Sequence, residues 1–142
     1  MPKAKCQSVV SVFVDGASRG NPGPAAIGAA LYASSGEKIA EVSRTVGETT
    51  NNVAEYLGVI YGLEEAFLLG ARSVKVKTDS QLIARQLNGV YKVRDGNIKM
   101  FFDIARSLFR FFETVEIAEI PREENKIADL LANRALDSNT LL

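Results

Sequence analysis

Apolar residues alternate or recur along the chain in patterns that predict nine secondary-structure elements. Short apolar or alternating runs bounded by Gly, Pro or Asn predict strands at about 8–15, 26–33, 37–46, 73–78 and 114–120. Apolar residues at three- and four-residue spacing predict helices at about 51–70, 81–87, 97–112 and 123–137. The order β-β-β-α-β-α-α-β-α predicts an α/β fold in which a mixed sheet joins an antiparallel meander to parallel strands and is covered by helices.

Three of these helices are preceded by residues whose side chains commonly cap helices. The candidate caps are Thr50 or Asn51 for the first helix, Asp79 or Ser80 for the second, and Asp95 or Asn97 for the third. The third helix also carries several phenylalanines at neighbouring positions, which cannot all face the core. We therefore expect a partly exposed apolar edge on this helix.

Length and composition predict one globular domain over residues 1–142. A chain of 142 residues, 46% hydrophobic and 24% charged, can bury a core of its own. No signal peptide and no run of about 18 uncharged apolar residues is visible, so no membrane partner is expected. The lone cysteine, Cys6, is compatible with a reducing compartment, and we expect a cytoplasmic protein.

The formal charges of the chain balance, with 17 basic and 17 acidic residues. Proteins that bind polyanions usually carry a basic excess, so this balance argues against a nucleic-acid partner. The argument weakens if several carboxylates hold metal, because two divalent ions would cancel four negative charges and invert the local field.

Four carboxylates stand in local contexts that could bring them together. Asp15 follows the apolar run 9–14, Glu55 lies at the start of the first helix, Asp79 follows the strand 73–78, and Asp129 lies in the last helix. Acids that converge from strand ends and helix starts build oxygen-ligand sites for hard divalent cations. Because the chain has no histidine, any catalysis must use carboxylates, metal and water.

Each of these acids also has an ordinary structural explanation when it is taken alone. Asp15 before Gly16 suits a turn, and Asp79 suits an N-cap. Glu55 complements the dipole of its helix, and Asp129 could simply lie on a solvated helix face. The metal-site interpretation therefore depends on the four acids belonging to one constellation.

The sequence around the four acids contains four motifs in a recognisable order. They are Val14-Asp15-Gly16 with the turn 20–25, the helix start 50–55, Thr78-Asp79-Ser80, and the segment 125–132. In this order and spacing they resemble type 1 ribonuclease H, of the ribonuclease H-like superfamily, over nearly the whole chain. The resemblance implies a five-stranded mixed sheet with helices on both faces. It also implies a metal-dependent endonuclease that hydrolyses the RNA strand of RNA–DNA hybrids, leaving 5′-phosphate and 3′-hydroxyl ends.

The resemblance implies roles for the four acids in a two-metal-ion site. Asp15 would bridge both ions, Asp129 would help to hold the ion on the nucleophile side, and Glu55 and Asp79 would hold the other. Mg²⁺ is the expected ion and Mn²⁺ a possible substitute, because both accept all-oxygen sites.

The resemblance also implies which residues bind the substrate. Asn21, Asn51 and Asn52 would contact the RNA strand across the minor groove, where the 2′-hydroxyl distinguishes RNA from DNA. Thr50 and Asn88 match positions that hold a phosphate of the DNA strand. The alternative for all five is turn and capping chemistry, which Asn and Thr favour in any protein.

The chain departs from the family pattern at three places. The loop 121–125 lacks a histidine that many members have, and Glu124 or Arg122 could act there instead. The segment 91–95 is too short for the basic protrusion found in some members, and we expect no separate hybrid-binding module. Glu48 stands where some relatives have an arginine near the DNA phosphate. These departures predict a compact form with a weaker grip on the hybrid.

Two other functions remain open at this stage. The first is a related nuclease that also acts on double-stranded RNA. The second is a hybrid-binding domain without catalysis, although such a domain would be expected to have lost one of the four acids, and all four are present. We expect a monomer.

Overall fold

The structure, a computed structural model, describes residues 8–140, and their side chains as far as residue 138. Five strands form one sheet: β1 (Val9–Ser18), β2 (Gly23–Ala33), β3 (Lys38–Thr49), β4 (Ser73–Thr78) and β5 (Thr114–Glu119). Four α-helices accompany them: α1 (Asn51–Leu68), α2 (Gln81–Leu87), α3 (Gly96–Leu108) and α4 (Lys126–Thr140). Short 3₁₀ turns cover Phe109–Phe111 and Arg122–Glu124. Cys6 lies outside the described residues.

The sheet has the order β3-β2-β1-β4-β5, with β1 at its centre. β1–β2 and β2–β3 are antiparallel pairs, whereas β1–β4 and β4–β5 are parallel. The predicted mixed sheet, with a meander joined to parallel strands, is therefore confirmed. β1 and β4 run side by side in the same direction, and their pairing ends at Val14 and Thr78, so the next residues, Asp15 and Asp79, lie at the same end of the pair.

Helices cover both faces of this sheet. Val10, Val12 and Val14 of β1 pack in one core with the buried side of α1, and residues of α2 and α3 complete that core. α4 packs on the opposite face, where its residues Ala128 and Leu131 are fully buried. The alternation of side chains along β1 and β2 thus divides the core between α1 on one side and α4 on the other.

Several predicted boundaries are wrong: β2 already begins at Gly23, and β3 continues to Thr49. β1 runs three residues past Asp15 to Ser18, because its pairing with β2 continues after its pairing with β4 has ended at Val14. The third helix gives way to a 3₁₀ turn after Leu108. The last helix begins at Lys126 rather than near 123, because Arg122–Glu124 forms a separate 3₁₀ turn.

The part of the chain between β4 and β5, all of it described, contains only α2 and α3 and their connection. The absence of a basic helical protrusion from this region is therefore confirmed. The expected apolar edge is also present: Met100, Ile104 and Phe111 are exposed, beside the exposed Phe67 of α1. Among the described helices, none combines the length and apolar character needed to cross a bilayer.

Candidate active site

Three of the four acids meet at the end of the sheet where the pairing of β1 with β4 stops. Asp15 of β1, Glu55 of α1 and Asp79, which follows β4, each place a carboxylate oxygen within 4.8 Å of the other two. Asp15 and Glu55 are buried, and Asp79 is half-buried. Three separate elements thus contribute one acid each to a compact cluster of oxygen atoms.

Two glycines allow helices to approach the sheet closely enough to form this cluster. A Cβ on Gly16 would lie 2.2 Å from the carbonyl oxygen of Ala54, which directly precedes Glu55. On the neighbouring strand, Gly28 pairs with Asp15, and a Cβ there would lie 2.2 Å from the carbonyl oxygen of Ala128, which directly precedes Asp129. Both contacts are possible only without a side chain, so the glycines set the positions of Glu55 and Asp129.

Asp79 does not cap the helix that follows it. Ser80 is the N-cap of α2, and its Oγ accepts a hydrogen bond from the Ile83 amide at 3.2 Å. Ser80 in turn donates its own amide to the Thr78 hydroxyl at 3.1 Å. The capping chemistry at this junction is therefore supplied by the residues on either side, and the Asp79 carboxylate turns toward the other acids.

Asp129 lies beside Asp15, outside the group of three. It lies close enough to Asp15 for its charge to raise the pKa of that residue. Asn133, one turn further along α4, donates its Nδ2 to Asp129 Oδ1 at 3.2 Å. Arg19 donates to Asn133 Oδ1 at 3.3 Å and pairs with Asp137 at 2.6 Å. The structure thus brings the fourth predicted acid to the cluster, on the α4 side of Asp15.

Crowding of the acids shifts two of their pKa values upward. Burial, followed by the charges of Asp79 and Asp129, raises the pKa of Asp15 to about 7. Burial and the charge of Asp15 also raise the pKa of Glu55 well above its usual range. The Gly16 amide donates to Glu55 Oε1 at 3.2 Å and opposes this rise only in part. Without a cation, the cluster therefore retains protons near neutral pH.

The donor set suits a hard divalent cation. All of the converging ligand atoms are carboxylate oxygens, the ligand type that Mg²⁺ and Mn²⁺ prefer, and no nitrogen or sulfur ligand joins the group among the described residues. A cation would also remove the repulsion that raises the pKa of Asp15 and Glu55. The residues present thus fit the metal that the sequence predicted.

The predicted substrate-binding residues fall into two groups. Asn21 accepts a hydrogen bond from the Asn51 amide at 3.0 Å through its Oδ1, and Thr50 caps α1 by accepting from the Val53 amide at 3.3 Å. Asn52 follows on the exposed first turn of the same helix. The capping alternative is thus observed for Thr50, while the side chains of Asn51 and Asn52 remain exposed.

Asn88 lies apart from that group, at the C-terminal end of α2. Its Nδ2 donates to the Ile117 carbonyl of β5 at 3.0 Å. This hydrogen bond ties α2 to the sheet and uses one of the two N–H groups of the amide. Asn88 therefore has an evident structural role in addition to the predicted contact with phosphate.

Three residues named at the departures from the family pattern, Arg122, Glu124 and Glu48, are exposed. Arg122 and Glu124 lie in the 3₁₀ turn before α4, and Glu48 lies near the end of β3. Glu124 lines a groove of about 490 Å³ together with Phe13 and Lys75, on the sheet face that carries α4. This groove is separate from the three-acid cluster.

Asn125 touches the site, although the sequence analysis gave it no role beyond its place in a motif. It is fully buried, and its Nδ2 donates to Asp79 Oδ2 at 3.1 Å and to the Val14 carbonyl at 2.9 Å. It directly precedes α4, four residues before Asp129, whose amide donates to the Asn125 carbonyl at 3.2 Å. That spacing was the one signal in the sequence that could have identified it.

Comparisons with known proteins agree with this architecture. A family model described as "Reverse transcriptase-like" matches residues 13–135. The chain is 43% identical over 128 residues to the ribonuclease HI of Halobacterium salinarum, covering 90% of this chain and 64% of that protein. Its described fold matches the crystal structure of RNase H1 from the same organism with a TM-score of 0.90 at 42% identity, covering 92% of this chain and 98% of that one. The structure of LC11-RNase H1 in complex with an RNA/DNA hybrid matches with a TM-score of 0.88 at 39% identity, covering 92% and 99%.

The strand order and the converging acids, together with these matches, define a protein of the ribonuclease H-like class. The chain belongs to the ribonuclease H family. It spans 64% of the length of its Halobacterium salinarum relative and 36% of the length of mycobacterial relatives that are 41% identical.

Proposed function

We propose that this chain is a divalent-metal-dependent endonuclease that hydrolyses the RNA strand of RNA–DNA hybrids. The observation that carries the proposal is the cluster of Asp15, Glu55 and Asp79, whose carboxylate oxygens lie within 4.8 Å of one another in a ribonuclease H fold. A related protein, LC11-RNase H1, has been solved with an RNA/DNA hybrid, which supports the same class of substrate here.

The four acids are proposed to hold two Mg²⁺ ions, with Mn²⁺ as a substitute. Glu55 and Asp79 would hold one ion with Asp15, and Asp129 would help Asp15 to hold the other. The position of Asp129 beside Asp15, outside the group of three, supports this division. When bound, such ions activate a water and neutralise charge on the leaving oxygen of a phosphodiester. The expected products carry 5′-phosphate and 3′-hydroxyl ends.

The protein contributes to the reaction in two ways: its acids lose protons to become ligands, and its backbone keeps these acids in fixed positions. Asp15 and Glu55 must be ionised to act as ligands, and their raised pKa values make this ionisation depend on the arrival of the cation. The close contacts at Gly16 and Gly28 fix the backbone around the acids, so little reorganisation is needed.

Recognition of the hybrid is proposed to use the start of α1 and the end of α2. Asn21, Asn51 and Asn52 would contact the RNA strand, and Thr50 and Asn88 would hold a phosphate of the DNA strand. The hydrogen bond between Asn21 and the Asn51 amide joins the β1–β2 connection to α1, which supports one continuous surface there. The second N–H of Asn88 would be the donor to phosphate.

The first test is cleavage of four labelled substrates in Mg²⁺: an RNA–DNA hybrid, double-stranded RNA, duplex DNA and single-stranded RNA. We expect internal cuts in the RNA strand of the hybrid, and loss of cleavage in EDTA. Asp15→Asn should reduce the rate by on the order of a thousandfold or more, because it removes a carboxylate that would help to hold both ions. Glu116→Gln, which removes an exposed acid of β5, serves as the matched control.

Each other outcome of this test has a definite meaning. Cleavage of double-stranded RNA at a comparable rate would identify a nuclease of wider specificity. Binding of the hybrid without cleavage in either Mg²⁺ or Mn²⁺ would contradict the proposal and assign the chain to hybrid-binding domains.

A further inference from the structure

Asn125 connects three of the structural elements that carry the acids. It lies between the 3₁₀ turn Arg122–Glu124 and the first residue of α4. Its Nδ2 donates to the carbonyl of Val14, directly before Asp15, at 2.9 Å, and to Asp79 Oδ2 at 3.1 Å. Because both partners are acceptors, the amide must present its nitrogen to the site, and a flipped amide would place two acceptors face to face.

The same side chain contributes little to the helix that it precedes. An asparagine directly before a helix normally accepts a hydrogen bond from a backbone amide of the first turn through its Oδ1. Here Oδ1 is buried and has no hydrogen-bond partner among the described residues. An unpaired buried polar atom costs about 1–3 kcal/mol. In this orientation, Asn125 makes its hydrogen bond to Asp79 but does not cap α4 with its side chain.

Asp79 has a particular need for such a partner. Its carboxylate lies with those of Asp15 and Glu55, and ionised acids at this spacing repel one another. A carboxylate that is not held can rotate away from its neighbours. The Asn125 amide directs the positive end of its dipole at Oδ2 and limits this rotation.

We propose that Asn125 is a positioning residue, whose amide orients the Asp79 carboxylate so that the cluster binds a divalent cation before substrate arrives. The inference rests on the proposed metal site and adds a residue to it. Removing a group that orients a metal ligand typically lowers metal affinity or activity by about 10–100-fold. The effect should appear in metal binding itself as well as in catalysis.

The test measures binding of Mn²⁺ to the protein alone, by the paramagnetic resonance signal of free Mn²⁺. Asn125→Ala should raise the dissociation constant for Mn²⁺ by about tenfold or more. Asn125→Asp, which keeps the shape but replaces the donor by a charged acceptor, should weaken binding in the same direction. In cleavage assays at limiting Mg²⁺, kcat should fall while KM for the hybrid changes less than about threefold.

Ser43→Ala is the matched control for damage to α4. The Ser43 hydroxyl donates to the Leu131 carbonyl at 2.6 Å, so it anchors α4 to β3 without touching an acid. The Ser43→Ala protein should lose stability, because it loses a hydrogen bond to α4, but keep its affinity for Mn²⁺. A double-mutant cycle completes the test: in an Asp79→Ala background, Asn125→Ala should cause no further loss of affinity.

Several results would overturn the inference. Unchanged Mn²⁺ affinity in Asn125→Ala, or the same loss in Ser43→Ala, would make Asn125 a purely structural residue. Additive effects in the double-mutant cycle would mean that it does not act through Asp79. If neither Asn125 variant folds, the role of Asn125 lies in folding and not in orienting Asp79. Failure of the wild-type protein to bind Mn²⁺ would contradict the proposed metal site itself.

Discussion

At the scale of single residues, the site is defined by acids held at higher pKa than they would have in water. Burial and the nearby charges of Asp79 and Asp129 raise the pKa of Asp15 from 3.8 to about 7. Between about pH 4 and pH 7, the folded, metal-free protein therefore binds more protons than the unfolded chain. These protons make the stability of the protein depend on pH and on metal.

We expect the stability of the metal-free protein to fall as pH rises from about 4 to about 7. Because the pKa of Asp15 is higher in the folded state, ionisation of Asp15 opposes folding. The stabilising contribution of its proton is therefore lost as pH rises to the folded-state pKa of about 7. Thermal melts in EDTA across this range should show a falling midpoint, and saturating Mn²⁺ should restore it.

Asp15→Asn provides the control for that pH dependence. An amide cannot ionise, so the variant should melt at a higher temperature than wild type at about pH 7.5 in EDTA and show a flatter profile. It should also gain less from Mn²⁺. Parallel pH profiles for the two proteins would show that Asp15 is not the group responsible.

At the scale of elements, the site depends on how closely two helices approach the central strands. The contacts at Gly16 and Gly28 place the starts of α1 and α4 on opposite sides of β1 and β2. Glu55 and Asp129 follow directly after the backbone groups in these contacts. The same two contacts therefore determine both how α1 and α4 pack on the sheet and where Glu55 and Asp129 lie.

We expect Gly28→Ala to destabilise the protein by about 3 kcal/mol, because its Cβ would overlap the Ala128 carbonyl oxygen and force α4 away from the sheet. Gly96→Ala is the matched control: no atom lies within 4 Å of its Cβ, and alanine favours the first turn of α3. Urea unfolding should show a stability for Gly96→Ala equal to wild type or up to about 0.5 kcal/mol higher. Equal midpoints for both variants would contradict the role of Gly28 in docking α4.

Much of this arrangement follows from local sequence, and the remainder requires tertiary contacts. Apolar or alternating runs located all five strands, and the candidate caps located the starts of α1 and α3, where Thr50 and Asp95 are the observed caps. Local pattern left Asp79 and Ser80 as equal candidates for the cap of α2, because only the packed structure turns Asp79 toward the other acids.

The end of β1 and the contacts of Asn125 also depend on tertiary contacts and could not be predicted from local sequence. Gly16 looked like the end of a strand, but pairing with β2 extends β1 to Ser18. The partners of Asn125 are the Val14 carbonyl and Asp79, which lie 111 and 46 residues away in the chain. Contacts at such separations leave no local pattern from which they could be predicted.

At the scale of the whole molecule, the charge balance determines how the protein can hold a polyanion. The chain carries no net charge, and part of its basic surface is already engaged. Lys99 pairs with Asp103 at 2.9 Å, Arg85 lies 3.9 Å from Glu119, and Lys77 lies over the ring of Phe13. Because these cations are engaged and the described region between β4 and β5 has no basic protrusion, we expect weak binding of the hybrid.

We expect Glu48→Arg to strengthen that binding. Glu48 is exposed near the end of β3, two residues before the Thr50 cap of α1. Replacing a negative by a positive charge beside the hybrid should lower KM on the order of fivefold at low salt, and the gain should shrink as salt rises. Glu37→Arg makes the same charge change at the opposite end of β3. An equal gain in both variants would show that the effect is not local to the proposed binding surface.

The measurement that tests the central claim most directly is the anomalous scattering of Mn²⁺ in crystals of the protein with an RNA–DNA hybrid. Asp129→Asn would slow cleavage while leaving Asp15, Glu55 and Asp79 in place. We predict an anomalous peak bound by oxygens of these three acids, with a phosphate of the RNA strand directly beside it. A hybrid bound with no metal among the acids, or with its DNA strand at the cluster, would contradict the account.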